Sequence, residues 1–167
     1  KDMKTLEDDE LPPIDVIVAA HNETEVVLDT LYQLFRNNYP NLRVVLVNDG
    51  STDSTLETVI REFNASSISY VPFEQLETER VYGVYEAPAH PLVIIDKDQG
   101  GKSDALNAGL NQSQAPFVAT VDADTLVEKN AFHQLVEPFL YDRDGVVASG
   151  GAVYLSNGAT VDSNGNI

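Results

Sequence analysis

Residues 14–47 read IDVIVAAHNETEVVLDTLYQLFRNNYPNLRVVLV and contain the pattern that predicts the fold class. The segments Ile14–Ala20 and Arg43–Val47 are almost entirely apolar and rich in β-branched residues, as in strands that are covered on both faces of a sheet. Between them, apolar side chains recur at the spacing of one helix face, at Val27, Leu28, Leu31, Leu34 and Phe35. A strand, a helix and a second strand in this order predict the repeating unit of a parallel α/β sheet.

The helix of this unit is predicted to begin near Asn22, because Glu25 three residues later resembles a capping box. It is predicted to end before Tyr39, which precedes a proline. The same alternation continues along the chain. Further strands are predicted at Leu92–Ile95, Phe117–Val121 and Val146–Tyr154, and further helices after Ser51–Ser54, at Lys102–Gln112 and at Lys129–Leu140. We therefore predict one α/β domain with a mostly parallel sheet and helices on both faces.

Three segments fall outside this alternation. Residues 64–91 contain a possible strand, Ile68–Phe73, and then an acidic stretch with prolines, and we interpret them as an insertion or an irregular excursion. We interpret residues 1–12 as an acidic lead-in and residues 156–167 as a truncated tail. Because the chain begins without Met and ends within a predicted strand and turn, we expect it to be a piece of a longer protein.

Charge and composition exclude several classes of function. The chain has 27 Asp and Glu against 10 Lys and Arg, and its formal net charge of -17 repels nucleic acid and anionic lipid. A phosphate ligand would therefore need a metal ion to offset the acids. The absence of Cys excludes disulfides and thiolate metal sites, and it is compatible with a reducing compartment. No apolar run approaches the roughly 20 residues of a membrane span.

Polar side chains follow each predicted parallel strand, at the edge where open α/β sheets bind ligands. They are His21, Asn22 and Glu23 after the first strand, Asp49 and Ser51 after the second, Asp96, Lys97 and Gly100–Ser103 after the third, and Asp122 and Asp124 after the fourth. If each of these residues is considered alone, a role in a helix cap, a turn or a solvated loop explains it equally well. We assign His21 a plain hydrogen-bonding role. Together they predict a nucleotide site, because two carboxylates one residue apart can share a divalent cation that holds a diphosphate.

The segment Gly100–Ser103 matches the last residues of a phosphate-binding P-loop motif. That motif also requires a glycine at position 96, where this chain has Asp96. The spacing therefore excludes a P-loop. A glycine pair that opens a helix remains, with Lys102 in the first turn, where backbone amides and an ammonium group can face an anion. The alternative is a surface lysine beside a loop.

Four ordered segments carry a resemblance to a known family. They read VAAHNE at 18–23, VNDGSTD at 47–53, GKSDALNAG at 101–109 and DAD at 122–124. In this order, over residues 13–151, the chain resembles the family 2 inverting glycosyltransferases. The resemblance implies a GT-A fold, which is Rossmann-like, and a nucleotide-sugar-binding domain over residues 13–155.

The resemblance also implies a set of binding residues. The donor-binding residues would be Ala19, Asn22, Glu23, Asp49, Ser51, Lys102 and Asp122. Among them, Asp49 would contact a uracil-type base, Lys102 would approach the diphosphate and Asp122 would hold the ribose or the donor sugar. Asp124 would bind Mg²⁺ or Mn²⁺.

The activity implied is transfer of a sugar from a nucleotide-diphosphate sugar, with UDP as the expected nucleotide. Transfer would proceed with inversion to a saccharide or lipid-linked acceptor in cell-surface polysaccharide synthesis. We expect a cytoplasmic protein, at the cytoplasmic face of the membrane if the full-length protein carries membrane segments. The catalytic base of the family lies in a later segment and is expected beyond residue 167. Asp162 is the remaining acid after Gly151, and we assign it no role, so this chain alone is expected to be inactive or weakly active.

Two other classes of protein share some of these features. A regulatory module that binds a nucleotide sugar without catalysis would use the same donor residues. A phosphoacceptor receiver domain would place its acidic pair after the first strand, where this chain has Asn22 and Glu23. The transferase interpretation predicts that Asp49 and Asp122 converge on one pocket. It also predicts that Asp124 faces solvent there and does not pair with Lys97 or Lys102.

Overall fold

A computed structural model describes residues 11–70, 75–141 and 145–151. Strands and helices alternate through most of this chain, as the apolar patterns predict. The elements are β1 (Ile14–Ala20), α1 (Val27–Phe35), β2 (Leu42–Asp49), α2 (Thr55–Glu62), β3 (Ser66–Ile68), β4 (Val81–Glu86), β5 (Leu92–Lys97), α3 (Lys102–Gln112), β6 (Phe117–Asp122) and α4 (Ala131–Tyr141). No helix among the described residues is long and apolar enough to cross a lipid bilayer.

The six strands form one sheet in the order β3-β4-β5-β2-β1-β6. The four strands from β5 to β6 run parallel, whereas β4 and β3 continue the sheet in antiparallel fashion. Ala19 of β1 lies opposite both Val47 of β2 and Asp122 of β6, so these strands end at one level. Their carboxyl ends therefore present the loops that follow them at one edge of the sheet.

The core has two layers because successive side chains of a strand point to opposite faces of the sheet. On one face, residues such as Val16, Val18 and Leu46 pack with apolar side chains from α1, α2 and α4. On the other face, Ile17 and Val45 belong to a second cluster with side chains from α3. The prediction of helices on both faces is confirmed.

Helix α1 begins at Val27, five residues after the predicted start, and Asn22 does not cap it. Asn22 has a φ of 57°, in the left-handed region, which Asn tolerates better than most residues. Its Oδ1 accepts hydrogen bonds from the backbone amides of Thr52 (2.7 Å) and Asp53 (3.2 Å). The predicted capping box is wrong, because this amide side chain stabilises the loop between β2 and α2.

The described part of residues 64–91 contains two strands and is not simply irregular. Strand β4 pairs with β5, and β3 pairs with β4, both in antiparallel register. The possible strand at Ile68–Phe73 overlaps β3 only at Ile68, and residues 71–73 lie outside the described chain. Strand β4 was missed because a strand of six residues that contains Gly83 alternates only weakly.

Strand β6 and the segment after α4 also differ from the prediction. Exposed and half-buried residues alternate along β6, so one face is covered and the other is open. In the sheet of the described residues it is an edge strand, which explains this pattern. The predicted strand at Val146–Tyr154 is wrong over residues 146–151, which are not in a strand, and its last three residues lie outside the described chain.

Candidate functional site

A cavity of about 300 Å³ opens at the carboxyl edge of the parallel strands. The residues that line it come from the ends of β1, β2 and β6, the loops after them and the first turn of α3. They are Ala19, Ala20, His21, Glu23, Asp49, Lys102, Ala105, Asp122, Ala123 and Asp124. The convergence of Asp49 and Asp122 on one pocket is confirmed, although these residues are far apart in the sequence.

Six of the eight predicted binding residues line this cavity, and Asn22 and Ser51 do not. Those two side chains support the neighbouring loops instead. The backbone amide of Asn22 donates a hydrogen bond of 3.0 Å to Oγ of Ser51, which ties the loop after β1 to the loop after β2. The roles that the family resemblance implies for all eight residues remain predictions.

Asp49 ends β2 and is only 4% exposed. Its Oδ1 accepts hydrogen bonds from Nζ of Lys97 (2.7 Å) and from the amide of Gly100 (2.9 Å), and its Oδ2 accepts one from the amide of Gly101 (2.8 Å). Burial alone would raise the pKa of Asp49, but these hydrogen bonds outweigh burial and lower the pKa. A carboxylate has about four lone-pair sites, so Asp49 can accept roughly one further hydrogen bond.

Lys97 was predicted to lie among the polar residues at this edge of the sheet, but it was not one of the eight predicted binding residues. It is 1% exposed and pairs with the carboxylates of Asp49 and Asp104. Burial alone would lower the pKa of Lys97, but the hydrogen bonds from its ammonium group to Asp104 and Asp49 outweigh burial and raise the pKa. Asp49 and Lys97 are direct neighbours in the pairing of β2 with β5, and this register would have revealed their contact. A single sequence does not contain the register of a sheet, so the contact could not be predicted.

Lys102 and Asp122 form an ion pair across the cavity, with 2.5 Å between Nζ and Oδ1. Both side chains are more than half exposed, at 61% and 54%. The ammonium group of Lys102, which was predicted to contact a phosphate group, therefore contacts the carboxylate of Asp122 in this structure. The pair can open at low cost, because exposed ion pairs contribute only about 0–1 kcal/mol.

Asp124 is exposed at the cavity, and no cation lies within ion-pair distance of it in the part of the chain that the structure covers. The predicted orientation of this carboxylate toward solvent is confirmed. In that same part of the chain, no group of three or more His, Cys, Asp or Glu side chains could hold a metal ion. The site still fits Mg²⁺ or Mn²⁺, because such ions are commonly held by one or two carboxylates together with phosphate and water oxygens.

His21 has the plain hydrogen-bonding role that was predicted. Its Nδ1 lies 2.7 Å from the carbonyl oxygen of Asp49, and because a carbonyl only accepts, Nδ1 carries the proton. Its Nε2 is then an acceptor, which suits the side-chain amides of Asn22 (3.2 Å) and Gln99 (3.4 Å) beside it. This ring links the ends of β1, β2 and β5.

Comparison with known proteins agrees with this geometry. The model of the family "Glycosyl transferase family 2" matches residues 15–164. A poly-beta-1,6-N-acetyl-D-glucosamine synthase of Staphylococcus aureus is 29% identical over 137 residues, which are 80% of this chain and 27% of that protein. The same enzyme of Staphylococcus epidermidis is 31% identical over 127 residues, 75% of this chain and 25% of its own length. The chain thus spans about a quarter of these relatives.

Solved structures share the fold. The mannosyltransferase PcManGT from Pyrobaculum calidifontis, in complex with GDP-Man and Mn²⁺, is 25% identical with a TM-score of 0.54, over 72% of this chain and 30% of that one. Staphylococcus aureus TarS 1-349 is 23% identical with a TM-score of 0.57, over 86% of this chain and 39% of that one. The predicted mostly parallel GT-A sheet is confirmed.

Proposed function

Because the chain belongs to glycosyl transferase family 2, we propose that it binds a nucleotide-diphosphate sugar, with UDP as the nucleotide. We propose further that the full-length protein transfers the sugar, with inversion, to a saccharide or lipid-linked acceptor. The observation that carries the proposal is the meeting of Asp49, Lys102, Asp122 and Asp124 in one cavity. Its location at the carboxyl edge of a parallel sheet supports the same conclusion.

The charges of the cavity suit a nucleotide diphosphate only if a cation accompanies it. Asp124, with Asp122 beside it, would hold Mg²⁺ or Mn²⁺, and the metal when bound would stabilise the negative charge of the leaving diphosphate. Lys102 would leave Asp122 and donate to the diphosphate from the first turn of α3, where the helix N-terminus also favours an anion. Asp49 would accept one hydrogen bond from the base through its remaining lone pair.

Transfer also needs a base that removes the proton of the acceptor hydroxyl. We place that base and the acceptor site beyond residue 167, so this chain would bind the donor and transfer sugar weakly or not at all. We also propose a cytoplasmic protein, at the cytoplasmic face of the membrane if the full-length protein has membrane segments.

Titration calorimetry of the chain with UDP, in Mn²⁺ and again in a chelator, tests donor binding. We expect Mn²⁺-dependent binding that weakens by about tenfold or more in Asp124→Ala, because a charged ligand to the metal is lost. The matched control is Asp29→Ala, which removes an exposed acid on α1, away from the cavity, and should bind as the original chain does.

A panel of UDP, GDP and dTDP identifies the nucleotide in the same experiment. Binding of GDP in preference to UDP would refute our choice of nucleotide, and binding of none of the three would refute donor binding by this chain. If the full-length protein bound UDP-sugars but transferred no sugar to any acceptor, it would instead be a regulatory module.

A further inference from the structure

Lys97 is among the largest fully buried side chains of the described residues, and it carries a charge. Its ammonium group makes ion pairs with Asp49 (2.7 Å) and Asp104, and it also donates to the carbonyl oxygen of Asp98. All three donor protons of the ammonium group can therefore be satisfied inside the protein. A charge this deeply buried costs considerable free energy unless it is paired, and Lys97, Asp49 and Asp104 form one unit of paired charges.

This unit is in direct contact with the glycine loop before α3. Asp49, held by Lys97, accepts hydrogen bonds from the amides of Gly100 (2.9 Å) and Gly101 (2.8 Å). A Cβ atom on Gly100 would lie 2.5 Å from Cγ of Asp104, so the loop closes directly on the second acid of the cluster. Gly101 is followed directly by Lys102, which lines the cavity.

The same unit joins the antiparallel part of the sheet to the cavity. Oδ2 of Asp104 accepts a hydrogen bond of 2.9 Å from the amide of Glu79, and the amide of Asp98 donates one of 2.9 Å to the carbonyl of Arg80. Glu79 and Arg80 lead directly into β4. The ammonium group of Lys97, a residue of β5, thus contacts residues of β2, α3 and the loop after β5, and the approach to β4 is bonded in turn to two of these partners, Asp104 and Asp98.

We propose that Lys97 is a positioning residue for nucleotide binding: it holds Asp49 and the loop 98–101 so that Lys102 and the start of α3 face the diphosphate. This inference rests on the proposed function, because the diphosphate is the ligand of that site. Lys97 itself is buried and does not line the cavity. Its effect would pass through Asp49 and the two glycine amides.

The test compares Lys97→Met with Arg43→Met, using UDP and Mn²⁺ as the probe. Arg43→Met is the matched control, because it likewise leaves a buried acid, Asp15, without its cation, and it lies at the amino end of the parallel strands. We expect Lys97→Met to weaken UDP binding by about tenfold or more, as loss of hydrogen bonds to a charged group would. Arg43→Met should change UDP affinity by less than about threefold.

Amide hydrogen exchange supplies a readout that does not depend on the ligand. Exchange at Gly100 and Gly101 should become faster in Lys97→Met and stay unchanged in Arg43→Met, because only the first variant loosens Asp49. A second variant, Lys97→Met with Asp104→Asn, removes one positive and one negative charge, so the net charge of the cluster is kept and folding is favoured. It should show the same loss of UDP affinity.

Each outcome decides the question. Original UDP affinity in a folded Lys97→Met, or an equal loss in Arg43→Met, would overturn the positioning role. If both Lys97 variants failed to fold, Lys97 would be a general stabilising residue, and the specific role would also be overturned. If the unmodified chain bound no nucleotide, the proposed function would fail, and the exchange rates at Gly100 and Gly101 would still show whether Lys97 holds the loop.

Discussion

Lys102 has two competing partners in this site. In the structure its ammonium group pairs with Asp122, and in the proposed complex it faces the diphosphate. We therefore predict that Lys102→Met has opposite effects on two ligands. Affinity for Mn²⁺ alone should rise, about two- to fivefold, because Asp122 loses a competing cation. Affinity for UDP in Mn²⁺ should fall about tenfold, because a charge-assisted contact to phosphate is lost.

Mn²⁺ titration followed by electron paramagnetic resonance, and calorimetry with UDP, measure the two affinities separately. Lys129→Met is the control, because Lys129 is exposed and does not line the cavity. It removes the same charge from the chain and should leave both affinities unchanged. Weaker binding of Mn²⁺ alone in Lys102→Met would contradict the competition between lysine and metal.

At the scale of elements, helix α3 lies unusually close to β1 at Gly109. A Cβ atom at this position would lie 2.5 Å from Cγ2 of Ile17, which is fully buried. Alanine favours a helix over glycine by about 1 kcal/mol, whereas overpacking of a core costs about 1–3 kcal/mol. The side chain of Ile17 is branched and confined, so we predict that overpacking prevails and that Gly109→Ala is destabilising by about 1–2 kcal/mol.

Urea unfolding of Gly109→Ala, Ile17→Ala and the double variant tests this packing. The double variant should lose less stability than the two single variants lose together, because removing the branched side chain makes room for the new methyl group. Additive losses, or a gain of stability in Gly109→Ala alone, would show that α3 can move away from β1 at little cost.

Elements were predicted best where their signals are local. Helix α3 has the predicted bounds, because the glycine pair at its start fixes where a helix can begin. Helix α1 was predicted to start five residues early, because Asn22 makes hydrogen bonds to Thr52 and Asp53 of a distant loop. Strand β4 was missed because pairing with β5, more than its own pattern, holds it in the sheet.

At the scale of the whole molecule, buried and hydrogen-bonded carboxylates make stability depend on pH. Asp15, at the amino end of the sheet, is the clearest case. Burial alone would raise its pKa, but hydrogen bonds from Arg43, Ser113 and Gln114 outweigh burial and lower the pKa from 3.8 to about 2. The folded state therefore favours the ionised form, which contributes about 2 kcal/mol at neutral pH.

This contribution is fully present above the unfolded pKa near 3.8 and is lost as the pH falls toward about 2. We predict that Asp15→Asn lowers the free energy of unfolding by about 3 kcal/mol at pH 7, since Arg43 loses its buried partner. The difference from the original chain should shrink by about 1 kcal/mol at pH 3. Urea titrations at both pH values measure it, with Asp29→Asn as the exposed control, and a constant difference would contradict the assigned pKa.

Local sequence patterns are sufficient to predict the α/β alternation, the parallel core strands and the polar residues at their carboxyl ends. These follow from local apolar periodicity and from the residues that end each strand, which require no knowledge of distant neighbours. The tertiary structure decided which of those polar residues meet. Asp49 and Lys97 are neighbours only because β2 and β5 pair in one register, and Lys102 meets Asp122 only because α3 begins at the edge where β6 ends. Such contacts depend on strand order and register, which packing of the whole chain selects.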